Sequence, residues 1–292
     1  MIKIPKFRGK DFFIGQDRYD HDDYATFLAE VRAIDGYTEH RLKDSYNGLP
    51  IYGFSIGDTT KPMIIIDGAI HNAHEWRSAY WIMHLMEILE NPSLSPTHSQ
   101  LLTKLITRYQ FYFVPVVSPD SFKSTGVSFN GNNVDVTQNF DYKWEQTPAT
   151  YKGSAPFSEP ESQNVRDLIL NNKPLAYINN HGWGWDTYHD FMLRKNVNSK
   201  YTFLGDKIHK SALISSVNPL DTDSRFDPLL DVSTAYSWVG LQDGARGKVI
   251  SNVFEVGGLR AAVEQSAIGV TGLLTILTYI DNYVTNGNFE MY

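Results

Sequence analysis

Met63-Ile64-Ile65-Ile66-Asp67-Gly68 is the stretch on which the fold turns. Four consecutive apolar residues without polar alternation mark a strand buried on both faces, the pattern of a parallel sheet covered by helices on either side. Downstream, Ala79, Ile82, Met83, Met86 and Leu89 fall on one face of an amphipathic helix that starts near Glu75, and Asn91-Pro92 stops it. A strand over 111–117 follows a second helix. Residues 165–170 read as helix, 175–178 and 250–254 as strands, and 261–283 as a long closing helix. Upstream, 22–34 carries apolar residues at helical spacing and 49–54 alternates like a strand, giving an opening helix and hairpin. The alternation of strands and helices predicts an α/β fold with a central mixed, largely parallel sheet flanked by helices. With no repeat, linker or low-complexity segment, the expected organisation is a single domain over 1–292.

Composition narrows the chemistry. The chain has no cysteine, so any metal must be held by nitrogen and oxygen donors. A net charge of −7 and the lack of any long Lys/Arg run argue against a nucleic-acid partner. No apolar stretch approaches the ~18 residues of a membrane span, so no membrane partner is expected. The N-terminal MIKIPKFRGKDFFIGQ lacks the apolar centre of an export signal, which predicts a soluble protein synthesised in the cytoplasm. Oligomeric state is not set by these observations.

Ligands of open α/β sheets gather at the carboxyl ends of strands. There the sequence places His71, His74 and Glu75, then His181 in Asn179-Asn180-His181, then Glu255. A single histidine after a strand is more often a loop residue than a ligand. Two histidines and a carboxylate together suit a three-ligand zinc site with a position open for water, and a further glutamate suits a general base. Glu255 lies in Val253-Phe254-Glu255-Val256, where burial of a carboxylate calls for either a structural ion pair or a tuned catalytic group. Residues 118–150, rich in Ser, Asn, Gly and Asp, form a long excursion of the kind that carries function on a rigid scaffold.

Several segments, in order, resemble the zinc carboxypeptidases of the carboxypeptidase A and B type. Ile66-Asp67-Gly68-Ala69-Ile70-His71 followed by Glu75-Trp76 resembles the family's first metal motif, and Phe113-Val114-Pro115-Val116-Val117-Ser118-Pro119-Asp120 its "P-V-x-N-P-D-G-Y" segment. Val134-Asp135-Val136-Thr137-Gln138-Asn139-Phe140 is similar to "V-D-L-N-R-N-F", and the stretch from Tyr151 to Glu161 to "Y-x-G-x-x-P-F-S-E-P-E". The resemblance implies a peptide or peptide-like substrate and one zinc ion on His71, Glu75 and His181. It implies Glu255 as the carboxylate that takes a proton from water and returns it to the leaving amine. Asp135 matches the position that accepts a hydrogen bond from the first zinc histidine. Tyr236 is the nearest counterpart of the family's substrate-covering tyrosine, and Trp183 and Trp185 are candidate cleft walls.

Three departures stand out. His71-Asn72-Ala73-His74-Glu75 is one residue longer than the family's H-x-x-E, which leaves His74 as an alternative ligand. The family's carboxylate-binding Asn-Arg pair is replaced by Thr137-Gln138, which can hydrogen-bond an amide or hydroxyl but cannot pair with a carboxylate as an arginine does. No arginine occurs in 121–133, so oxyanion stabilisation falls to the metal, Arg194 or Arg246. Two alternatives to a carboxypeptidase therefore stay open: a zinc amidohydrolase or deacylase acting on a small acylated compound, and a non-catalytic binding or structural module.

Overall fold

The computed structural model describes residues 23–69, 73, 75–122, 129–147, 150–182, 192–194, 238–239, 249–256 and 262–286. Its elements are α1 (Tyr24–Arg32), β1 (Thr38–Arg41), β2 (Tyr52–Ile56), β3 (Met63–Asp67), α2 (Arg77–Glu90), α3 (Ser99–Arg108) and β4 (Gln110–Val114). These are followed by α4 (Pro160–Asn172), β5 (Ala176–Gly182), β6 (Met192–Arg194), β7 (Ile250–Val256) and α5 (Ala262–Asn286). The strands form a seven-stranded sheet in the order β1-β2-β4-β3-β5-β7-β6. Its centre, β4-β3-β5-β7, is parallel, while β1, β2 and β6 pair antiparallel at the edges.

The apolar run of β3 is buried on both faces as its composition requires. Ile64 and Ile66 join a core with Phe111, Phe113, Ala176, Ile178 and the buried side chains of α1, α2, α3 and α5. Ile65 points the other way, into a core with Tyr177, Val114, Val136 and Val165 and Ile169 of α4. Burial of each such side chain stabilises by roughly 1.5–3 kcal/mol. On the first face α2 and α5 approach closely: a Cβ added at Gly269 would overlap the Trp81 ring. The far end of α5 is anchored through the buried Asp281, which accepts from Tyr109 Oη at 3.0 Å and pairs with Lys104 at 2.6 Å and Arg108 at 3.2 Å. Among the described residues no helix is long and apolar enough to cross a membrane.

Element ends differ from the sequence reading for local reasons. β4 stops at Val114 because Pro115 has no N–H for the ladder, and pairing continues irregularly through Val117 and Ser118 N–H groups donating to Gly68 and Ala69 carbonyls. α4 begins at Pro160, pre-set for the first helical position, well before the apolar residues that revealed it. β5 runs on to Gly182, so that Asn179, Asn180 and His181 are strand residues and not a loop. The three-residue β6 is too short for any periodicity and was not foreseen.

Candidate metal centre

Alternation along β5 decides what meets at its carboxyl end. Residues 177, 179 and 181 share one face of the strand and 178, 180 and 182 the other. On the first face His181 is buried, 6% exposed, and its Nδ1 lies 2.8 Å from Oε2 of Glu75, itself 5% exposed. Glu75 reaches this point from the turn that leads into α2, just past the end of β3. Its backbone is pressed against β5: a Cβ at Gly182 would lie 3.5 Å from the Glu75 Cα and 3.4 Å from the Trp81 ring. The parallel register of β5 and β7 sets Glu255 directly opposite His181. Two expected ligands and the expected catalytic residue therefore come from the ends of adjacent strands and the neighbouring turn.

Buried polar groups behind His181 form a continuous network. His181 Nε2 is 2.5 Å from Asn179 Oδ1, and Asn179 Nδ2 donates to Asp67 Oδ1 at 2.7 Å. Tyr177 Oη donates to Asp67 Oδ2 at 2.7 Å. Desolvation raises the Asp67 pKa to about 6, opposed by the hydrogen bonds from Asn179 and Tyr177 and by the nearby His181. The same desolvation, with the Asp67 charge beside it, pushes the Tyr177 phenol well above its usual value and keeps it a donor. On the opposite face Trp81 Nε1 donates to Asn180 Oδ1 at 3.0 Å, and Asn180 Nδ2 donates to the Asp67 carbonyl at 2.9 Å. Both asparagines thus tie β5 to the end of β3. Asp67, Tyr177 and Asn179 were not singled out as site residues from sequence; the period-two spacing of 177, 179 and 181 was the available signal.

In the 134–140 segment the side chains of Thr137 and Gln138 are hydrogen-bonded to Asp135. Asp135 is buried, and its Oδ1 accepts from Thr137 N at 3.1 Å and Thr137 Oγ1 at 2.6 Å. Its Oδ2 accepts from Gln138 Nε2 at 2.7 Å. Thr137 and Gln138 are therefore turned onto Asp135, as the cap of a short 3-10 turn at Val136–Gln138. His71, the expected partner of Asp135, and His74, the alternative ligand, lie outside the described residues, as do Tyr236, Trp183, Trp185 and Arg246. Arg194 ends β6 opposite Val253. Among the described residues no group of three or more His, Asp or Glu side chains converges on a metal position. What the structure brings together is the pair Glu75 and His181, with Glu255 in register.

That pair fits zinc in kind, since a carboxylate oxygen and an imidazole nitrogen are both zinc donors and the imidazole is held from behind by Asn179. The chain belongs to the zinc carboxypeptidase family: residues 36–191 match the family model described as zinc carboxypeptidase. Carboxypeptidase B of Helicoverpa zea is 28% identical over 220 residues, covering 62% of this chain and 48% of that protein. Carboxypeptidase B of Astacus astacus is 30% identical over 172 residues, covering 51% of this chain and 53% of that protein. The chain thus spans about half the length of these relatives. In fold it is similar to carboxypeptidase A of Helicoverpa armigera, with a TM-score of 0.68 at 16% identity, covering 96% of this chain and 78% of that one. It is likewise similar to the metallo-carboxypeptidase of Burkholderia cenocepacia, with a TM-score of 0.64 at 17% identity, covering 89% of this chain and 69% of that one.

Proposed function

We propose that this chain is a zinc-dependent metallopeptidase of carboxypeptidase type, hydrolysing a peptide amide, with His71, Glu75 and His181 holding one zinc ion. The observation that carries the reading is the buried meeting of His181 Nδ1 and Glu75 Oε2 at 2.8 Å, with Glu255 opposite His181 across β5 and β7. Zinc bound there supplies a Lewis acid for the scissile carbonyl and makes a water acidic enough to lose a proton near neutrality. Glu255 is assigned the proton: its carboxylate accepts it from the attacking water and passes it to the leaving amine nitrogen. Glu75 and His181 contribute by position. Their buried setting excludes bulk water, and the network behind His181 limits the movement of its ring.

The position occupied by Thr137 and Gln138 favours an amide whose recognition does not require a free C-terminal carboxylate. Gln138 carries no charge, and its amide nitrogen is engaged with Asp135. An amidohydrolase acting on a small acylated compound is the second reading, and this same geometry is what favours it. Both are tested by following hydrolysis of short N-acylated peptides, with free and with amidated C-termini, after chelation and after restoring zinc. Zinc-restored hydrolysis of both substrate forms supports the proposal. Hydrolysis confined to free C-termini would show that a carboxylate clamp exists elsewhere in the chain, and no hydrolysis of any acyl amide would leave a binding module.

A further inference from the structure

The network behind His181 does more than fill space, because its members differ in what they can donate. Asp67, as a carboxylate, has acceptor oxygens only. Oδ2 takes the phenol of Tyr177, and Oδ1 takes Asn179 at 2.7 Å. The group that Asn179 shows to Asp67 must therefore be its NH2, which is what fixes the amide's orientation. Its carbonyl oxygen is then left facing His181 Nε2, 2.5 Å away. A carbonyl oxygen cannot donate, so the imidazole nitrogen must. With a proton held on Nε2, Nδ1 is the nitrogen left to face Glu75, whose carboxylate accepts from it in the metal-free chain and would share a metal ion with it once that proton is displaced.

We propose that Asp67 and Asn179 are positioning residues that hold the His181 proton on Nε2 and so present Nδ1 as the metal-ligating nitrogen. The assignment rests on the metallopeptidase reading for its purpose but not for its geometry, which lies within the described residues. Register supports it: Asp67 and Asn179 are direct partners of the parallel β3 and β5 pair, and Asn179 and His181 stand two residues apart on one strand face. A helix or loop would permit several arrangements of these three side chains, whereas adjacent strands permit few. The second asparagine, Asn180, fastens the same two strands from the other face through the Asp67 carbonyl.

The discriminating variant is Asp67→Asn, nearly isosteric and separated from His181 by Asn179. Tyr177 still donates to the amide oxygen at position 67, so the new NH2 turns toward Asn179. Asn179 must then rotate its amide to offer oxygen there, which turns its own NH2 onto His181 Nε2. That nitrogen becomes an acceptor and loses its proton, and the ring keeps only the proton on Nδ1, facing Glu75. The experiment is ¹⁵N-histidine NMR of metal-free protein at pH 8, together with zinc affinity by chelator competition, for wild type, Asp67→Asn and Asn179→Leu.

Wild type is expected to show a protonated Nε2. Asp67→Asn is expected to show a bare Nε2 and a protonated Nδ1, and both variants to bind zinc about 10- to 100-fold more weakly. A bare Nε2 in the wild type overturns the proposal whether or not either variant folds. An unchanged Nε2 proton in folded Asp67→Asn overturns it as well. A protonated Nε2 in a wild type that takes up no zinc would sustain the relay and defeat the metallopeptidase reading.

Discussion

Among the described residues, two of the buried polar regions use the same residue types to opposite ends. In the 120–161 cluster, Asp120 accepts from Ser45 Oγ at 2.6 Å and from the backbone of Asn47 and Gly131. Asn130 donates to Glu159 and Glu161 while accepting from the backbone of Asn132 and Val134, and Glu161 also accepts from Tyr46 N. Every carboxylate there is answered by donors of the surrounding loops, which closes the network on itself. The strand-end network begins alike, with Asp67 satisfied by Tyr177 and Asn179, but it finishes on an imidazole and a carboxylate in contact, His181 and Glu75. What sets the strand end apart is that its last two groups, in contact with each other, are both of a kind that can ligate a metal.

The largest effect that sharpens this contrast is expected at Glu255. Glu255→Gln should lower kcat by about 10²- to 10⁴-fold, the range for loss of a general acid–base, while leaving zinc content at the wild-type level. Zinc loss in that variant would mean that Glu255 serves as a ligand and not as the proton carrier. Asn130→Ala is expected to cost about 2–4 kcal/mol in chemical denaturation, since it orphans buried carboxylates and loop N–H groups, yet to leave zinc affinity unchanged. A fall in affinity without unfolding would join the two regions into one network.

Glu161 gives a comparable effect that depends on pH. Desolvation raises its pKa from 4.5 to about 7, so the folded state binds more protons than the unfolded chain in that interval. Stability from this group therefore falls as pH rises from 4.5 toward 7, and the cost, about 3 kcal/mol, is fully present above 7. Denaturation of wild type and Glu161→Gln across pH 4.5–8 should show that difference in slope; parallel curves would contradict it. The smallest effect is expected outside both regions. Arg32 holds Glu39 in a forked pair at 2.6 and 2.9 Å, but on an exposed surface, and Glu39→Gln should cost about 0.5 kcal/mol or less in low salt.

Much of this was legible in the chain because the signals were local. The doubly buried β3 follows from its apolar run and the end of α2 from Asn91-Pro92, whereas α2 is buried on every side from Ser78 to Leu89 and not along one stripe alone. The β5 extension was not legible, because Asn179-Asn180-His181 has the composition of a loop and becomes strand only where Asp67 and Trp81 accept and donate across it. Glu75 and His181 could be named from their places after strands, but their partnership is a product of topology, bringing together residues 106 positions apart. Thr137 and Gln138 were read as substrate contacts from the segment they resemble. Their side chains also bond Asp135, a contact that sequence matching cannot reveal. The family match ends at residue 191, and Glu255, beyond it, is tied to the site by the register of β5 and β7.

The central claim is that Glu75 and His181 hold a metal ion. It is tested most directly by elemental analysis of purified wild type, Glu75→Ala and His181→Ala after equilibration with zinc and removal of the excess. The account predicts about one zinc per wild-type chain and a loss of most of it in both variants, each shown to be folded by circular dichroism. Zinc absent from the wild type, or retained in full by both variants, would contradict it and reduce the His181–Glu75 contact to a structural ion pair.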